Sequence, residues 1–174
     1  MRSSDLAIRR LTPEDAAAYR ELRLRGLQEH PDAFTSSYAE DSEAPLVTTE
    51  RRLAPDSPDW VFGAFVANEL AGVVGMFREP RAKNRHKAAV FGMYVAPEHG
   101  RRGVGAALLR RVIETAQAQP GIEQLVLTVT ETNAAARALY EKFGFRSFGV
   151  EPRAIRVSDV YYDKNHMILF LSLP

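Results

Sequence analysis

The stretch from Gly100 to Gly105, "GRRGVG", constrains this chain more than any other. It sets three glycines and two arginines in six residues, directly before an apolar-periodic run that reads as a helix. Glycine weakens a helix by roughly 0.5–1 kcal/mol relative to alanine, so glycines at a helix entrance point to a turn or to something approaching the backbone. A strand at 88–96, "AAVFGMYVA", leads into the turn. The first N–H groups of the helix lack partners and lie at the positive end of its dipole, which together make an anion site. Gly103 and Gly105 let an oxygen-rich ligand reach those amides, and Arg101 and Arg102 add positive charge; a diphosphate meets these requirements. The order G-x-x-G-x-G departs from the dinucleotide fingerprint G-x-G-x-x-G, and no G-K-[ST] follows as in a P-loop. The same residues also fit a plain chain turn, with Gly105 packed against a strand.

The flanking pattern organises the remainder. Residues 6–11 read as a strand, followed by a helix over 12–30 with Thr12 as N-cap, Pro13 at the first position and Tyr19, Leu22, Leu24 and Leu27 on one face. The polar, proline-bearing stretch 31–58 reads as a loop-rich insertion over the site, with one short helix at 48–54. The runs 59–67 and 70–77 form a hairpin about Asn68-Glu69, with Trp60 in the core. The helix after Gly103 buries Val104, Leu108, Val112 and Ala116 and carries an outward Arg110–Glu114 pair. A strand at 122–130, a helix at 133–143 closed by Gly144, and two antiparallel strands at 145–157 and 160–173 complete the chain. The expected fold is a single domain over residues 1–174 of α/β (α+β) type: a mixed, mostly antiparallel sheet of about seven strands with helices on both faces.

Composition excludes several classes of function. A net charge of +1 argues against a general polyanion binder, and no nucleic acid partner is expected. With no cysteine there is no disulfide, thiolate nucleophile or cysteine metal site, and the four histidines show no metal-ligand spacing, so no metal is expected. No apolar run approaches the ~20 residues of a membrane span, and "MRSSDLAIRR" lacks the apolar core of a signal peptide, which makes a cytoplasmic location the expectation. The basic segment 78–87 reads as a solvated loop before it reads as a phosphate or acidic-acceptor contact.

"MYVAPEHGRRGVGAALL" resembles the acyl-coenzyme A motif of the GNAT N-acetyltransferase superfamily, and "LTVTETNAAARALYEKFGF" resembles that family's fifth strand, Asn and Tyr-bearing helix. Both lie in the family's order, and the resemblance covers most of residues 5–172. The family's first motif position is usually Arg or Gln; here it is Gly100.

The resemblance implies an acetyl-CoA-dependent N-acetyltransferase in which an amine attacks the thioester directly, in a ternary complex. Backbone groups of Met93 and Val95, flanking Tyr94, would meet the pantetheine arm in a gap between two splayed strands, aimed by a bulge in strand 88–96 with which Gly92 is compatible. The amides of Arg101, Arg102, Gly103, Val104, Gly105 and Ala106 would hold the diphosphate, and Asn133 would reach the donor from the far side. Tyr140, seven residues past Asn133 and so near the same helix face, would touch the donor and act as the acid for the departing thiolate, with an unperturbed pKa near ~10. Phe34, Ser36, Tyr38 and Glu40 would border the amine acceptor, and the chain would be a monomer or homodimer.

A general base is missing from the pattern. Thr128 stands where some family members carry Glu, and Glu40, Glu43, Glu98, Glu131 and His166 are unspecific candidates that fit the surface equally. An enzyme without a strong base works most easily on amines of lower pKa. Two readings stay open beside acetyl transfer: a non-catalytic acyl-CoA-binding module, and an enzyme using longer acyl groups. Protein N-termini, lysine, polyamines, antibiotics and small metabolites all remain as acceptors.

Overall fold

The computed structural model describes residues 6–172; residues 1–5 and 173–174, the latter including the expected last strand residue Leu173, lie outside them. The first strand, β1 (Leu6–Arg10), leads into a 3-10 turn at Pro13–Asp15 capped by Thr12. The Asp15 carboxylate accepts the Thr12 N–H at 2.8 Å and receives a forked pair from Arg9 at 2.7 and 2.8 Å, fixing where α1 (Ala16–Glu29) begins. Ala16, Tyr19, Leu22 and Leu27 are buried along α1, while Leu24 is only half-buried.

Instead of one short helix, the insertion folds as two: α2 (Tyr38–Glu43) and α3 (Leu46–Arg52). Ser37 and Glu40 form a capping box that starts α2, a signal that the chain's polarity there conceals. The hairpin strands β2 (Asp59–Val66) and β3 (Glu69–Arg78) turn on Ala67 and Asn68, one residue earlier than the sequence indicates. Both turn residues take positive φ, 49° and 67°, as a two-residue hairpin connection of this hand demands.

Next come β4 (Lys87–Val95), α4 (Val104–Ala118), β5 (Gln124–Thr130), α5 (Ala134–Lys142), β6 (Arg146–Val157) and β7 (Val160–Phe170). They complete one seven-stranded sheet in the order β1-β2-β3-β4-β5-β7-β6, mixed because β4 and β5 run parallel while every other neighbour is antiparallel. The alternation along β2 and β3 supplies both faces. Val61 and Val73 pack under α1, whereas Phe62, Val74 and Met76 pack under α4. Trp60 is half-buried at the margin of the larger core. Arg110 lies over the ring of Phe143, at the end of α5, at 5.8 Å, and makes no ion pair with Glu114.

Val104, Leu108, Val112 and Ala116 are all buried on the inner face of α4. Leu108 is fully enclosed there, so Leu108→Ala is expected to cost about 3 kcal/mol of stability, read as a lower urea midpoint at unchanged slope.

Candidate active site

Two irregularities of β4 shape the site. Strands β4 and β5 pair only from Lys87–Gln124 to Ala89–Val126. Beyond that point β4 follows β3 and β5 follows β7, so the sheet opens into a V. Opposite Val73 and Gly75 of β3 stand Tyr94 and Phe91 of β4, one residue more than the partner strand has. That bulge holds Gly92 at φ +63°, a left-handed conformation available to glycine at little cost.

A cleft of about 680 Å³ fills the V, walled by Met93, Tyr94 and Val95 on one side and Asn133, Ala136 and Leu139 on the other. Its floor is the entrance to α4, where Gly103 caps the helix at φ +75° with no side chain satisfying the first turn. Among the described residues, the N–H groups from Arg101 to Ala106 find no acceptor; the first to do so is Ala107, bonded to the Gly103 carbonyl at 2.9 Å. Six consecutive donors therefore face the cleft or solvent at the positive end of a fifteen-residue helix. Arg101, itself at φ +59°, and Arg102 are exposed and make no ion pair among the described residues. His99 also lines the cleft, and its Nδ1 is buried without a partner.

The two cleft glycines differ in kind. At Gly103 a Cβ would meet nothing within 4 Å, so the requirement is its backbone angle. At Gly105 a Cβ would stand 3.3 Å from Leu139 Cδ2 and 3.8 Å from Val95 Cγ2, so the requirement is space between the two walls.

A smaller chamber of about 90 Å³ continues inward, sharing Phe34, Met93, Asn133 and Ala136 with the cleft. Asn133 caps α5 through its Oδ1, which accepts the Ala136 N–H at 3.2 Å, and its Nδ2 stays available to the chamber. Tyr140, two turns later, lines the same chamber. Its ring packs edge-on against Phe145 at 5.9 Å, its hydroxyl has no hydrogen-bond partner among the described residues, and burial pushes its pKa up to about 12. The sequence alone suggests a value near ~10; desolvation accounts for the difference.

A third cavity of about 260 Å³ adjoins the chamber, sharing Phe34, Phe91, Gly92 and Thr128 with it and bounded further by Ser36, Arg23, Arg52 and Lys164. Phe34 thus borders all three spaces, and Ser36 accepts a bond from Arg23 Nη2 at 3.3 Å. Tyr38 and Glu40 do not line it. Tyr38 is exposed on α2, and the Glu40 carboxylate is engaged by Ser37 in the helix cap, which holds its pKa below the usual carboxylate range.

None of the candidate bases lines the chamber or the third cavity. Glu98 takes a forked pair from Arg25 at 2.7 and 2.8 Å, which lowers its pKa to about 2. Glu131 is held by Arg137 at 2.8 Å and Asn165 at 2.9 Å. Glu43 is exposed at the end of α2, and His166 faces Glu151 at 3.0 Å on the β6–β7 hairpin. The Tyr94 hydroxyl bonds to Glu29 at 2.6 Å and is raised beyond the ordinary phenol range by burial first and that carboxylate second, so it serves α1 packing.

Sequence reasoning passed over Arg23, Arg52 and Lys164. Arg23 and Arg52 carry no local signal, since only the packing of α1 and α3 over the β4 bulge brings them in. Nor does Lys164, which lies in the polar run Asp163-Lys164-Asn165-His166 of β7 and is nevertheless 5% exposed. Burial lowers its pKa, and its Nζ donates to the Ala33 carbonyl at 3.2 Å and to Thr130 Oγ1 at 3.0 Å. Thr130 in turn donates to the Asp32 carbonyl, so β5 and β7 clamp the loop that carries Phe34.

Comparison with known proteins gives the family and the fold. Residues 23–145 match the model of the Acetyltransferase (GNAT) family. A GNAT-family acetyltransferase from Streptococcus pneumoniae superposes with a TM-score of 0.87 at 28% identity, over 95% of this chain and 99% of that one. A putative acetyltransferase from Salmonella typhimurium, solved with acetyl-CoA, shares the fold at a TM-score of 0.79 and 22% identity, over 97% and 95% of the two chains. Among curated relatives, the [ribosomal protein bS18]-alanine N-acetyltransferase of Escherichia coli K12 is 34% identical over 87 residues, which span 50% of this chain and 58% of that protein. Among the described residues no helix is long and apolar enough to cross a membrane, and no cluster of metal-ligating side chains occurs.

Proposed function

The chain belongs to the GNAT acetyltransferase family, whose members use acetyl-CoA as donor, and on that premise we propose that it transfers the acetyl group to a primary amine by direct attack in a ternary complex. The observation that carries this reading is the run of six unpartnered N–H groups from Arg101 to Ala106 at the foot of a splayed sheet. They suit a diphosphate, and Arg101, Arg102 and the orphaned His99 Nδ1 suit its charge. Met93, Tyr94 and Val95 border the path that a pantetheine arm would follow toward the chamber, and Asn133 Nδ2 would meet it from α5.

Acetyl-CoA supplies an activated acyl carbon. The Val95 amide, on the cleft wall, is the natural donor for charge gathering on the carbonyl oxygen, and water displaced from the cleft by the donor would strengthen such a bond. The neutral amine forms the N–C bond as the C–S bond breaks, and the sulfur leaves with the electron pair. Tyr140 gives its proton to that sulfur; the proton shed by nitrogen passes to water, from which Tyr140 is restored. Positioning along the three adjoining spaces supplies several kcal/mol of the acceleration.

Calorimetric titration with acetyl-CoA and thiol release with an amine panel test the reading. Binding without thiol release from any amine would favour the non-catalytic module instead. Because burial holds Tyr140 at about 12, its ionisation adds no falling limb below about pH 10.5. The rate is expected to rise with pH between 6 and 9.5 as the acceptor amine deprotonates; a bell with its maximum below pH 9 would count against Tyr140 as acid. The exposed Phe148, Val150, Val160, Tyr161 and Phe170 on the β6–β7 hairpin favour a homodimer over a monomer, and sedimentation velocity at micromolar concentration distinguishes the two.

A further inference from the structure

Resting on that reading, we infer that the acceptor is a small amine bearing a carboxylate, of the free amino acid type, and that Arg52, Arg23 and Lys164 hold the carboxylate in the third cavity. Three cationic side chains and no acid line this space, whereas the chamber between it and the cleft is apolar save for hydroxyl and amide groups. The acids that balance two of the cations stand outside its walls. Asp41 takes Arg23 Nε at 2.7 Å, and Asp59 lies 3.3 Å from Arg52 Nε.

Arg52 is thus anchored by its inner nitrogen, Arg23 by Nε and by Nη2 to Ser36, and each keeps outer N–H groups for a ligand. Arg52 Nη1 and Nη2 have no hydrogen-bond partner among the described residues, and Arg23 Nη1 would lie 3.2 Å from a Cβ at Gly92, directly beside the bulge. Lys164 is the third group. It is nearly fully buried and, among the described residues, bonds only to a carbonyl and a hydroxyl and has no carboxylate within ion-pair distance; the charge of Asp32 opposes the effect of burial on it. A buried, unpaired ammonium beside two half-engaged guanidinium forks favours a planar bidentate anion.

The same charges explain the missing base. Thr128 leaves this wall without an acid, so an incoming ammonium group meets three like charges and no carboxylate in the lining, which favours its neutral, nucleophilic form. The carboxylate binds while the amine is pushed to lose its proton to water. Polyamines and lysine side chains, which bring cations and no anion, are disfavoured by the same field, and a cavity of about 260 Å³ suits a small molecule.

The test compares thiol release from acetyl-CoA with each L-amino acid, with its α-carboxamide, and with a peptide bearing a free N-terminal alanine. At least one amino acid is expected to exceed its own amide by roughly 30-fold or more in kcat/KM, the range of one lost charge-assisted contact. Arg52→Gln is expected to raise KM for that acid about tenfold, leave KM for the amide unchanged, and leave calorimetric affinity for acetyl-CoA unchanged, with partial recovery in Arg52→Lys. Amides or the peptide reacting as well as the acids, transfer to none of the acids, or equal KM losses for acid and amide in Arg52→Gln would each overturn the anionic acceptor alone. Failure of the unmodified protein to bind acetyl-CoA would overturn the transfer reading and this inference with it.

Discussion

Gly105→Trp is expected to weaken acetyl-CoA binding at least about 100-fold by calorimetry, near 2.8 kcal/mol, while the melting temperature moves by only a few degrees. Gly105 sits in the first turn of α4 with the two walls of the cleft in reach. Its missing Cβ would lie 3.3 Å from Leu139 Cδ2 and 3.8 Å from Val95 Cγ2. These are the ends of side chains, so a small substituent can be absorbed, whereas an indole must enter the space over the free N–H groups. Gly105→Ala separates the two effects. It should improve the helix slightly and cost only a modest part of the affinity. Gly103→Ala is the counter-case: nothing obstructs its Cβ, but φ +75° carries a strain of about 1–2 kcal/mol, so stability falls before access does. Unchanged affinity in Gly105→Trp would mean that the cradle is not where the donor binds.

The elements that determine this cleft were legible because each is a local signal. Apolar spacing on α4, the Thr12 cap with Pro13, and the glycines at 92 and 103 state their conformations within a few residues, and the structure gives them the expected burial and φ. The splaying of β4 from β5 is not local. It entered through resemblance to a family, and the structure places it just after Ala89 and Val126. The insertion 31–58 was least legible. Its two helices bury no residue fully and hold position through Arg20 to the Ser42 carbonyl at 2.6 Å and Arg23 to Asp41 at 2.7 Å, contacts between segments far apart in sequence. Glu40 illustrates the difficulty: an acid near the acceptor side looks available in the sequence, yet three residues upstream Ser37 completes a cap with it. The cationic cavity went unseen for the same reason, since Arg23, Arg52 and Lys164 meet only when α1, α3 and β7 do.

Replacing Tyr140 with phenylalanine is expected to lower kcat roughly 10²–10³-fold while acetyl-CoA affinity stays within about twofold. The substitution removes a hydroxyl that bonds to nothing among the described residues, so no partner is stranded and the Phe145 contact survives. A structural tyrosine would therefore show little change in either quantity. Burial raises Tyr140 to about 12, which at first weakens the case for an acid facing a thiolate of intrinsic pKa near ~8.5. The comparison must be made inside the chamber, however. A thiolate formed there is desolvated by the same walls as a phenolate, so burial raises both and does not by itself widen the gap of ~1.5 that separates them in water. A proton shared over so small a gap moves readily when the sulfur carries charge, and it stays on Tyr140 before bond cleavage. Solvent-isotope effects on kcat should then fall toward unity in Tyr140→Phe, with sulfur departing as the bare thiolate; an unchanged isotope effect beside an unchanged kcat would remove Tyr140 from the chemistry.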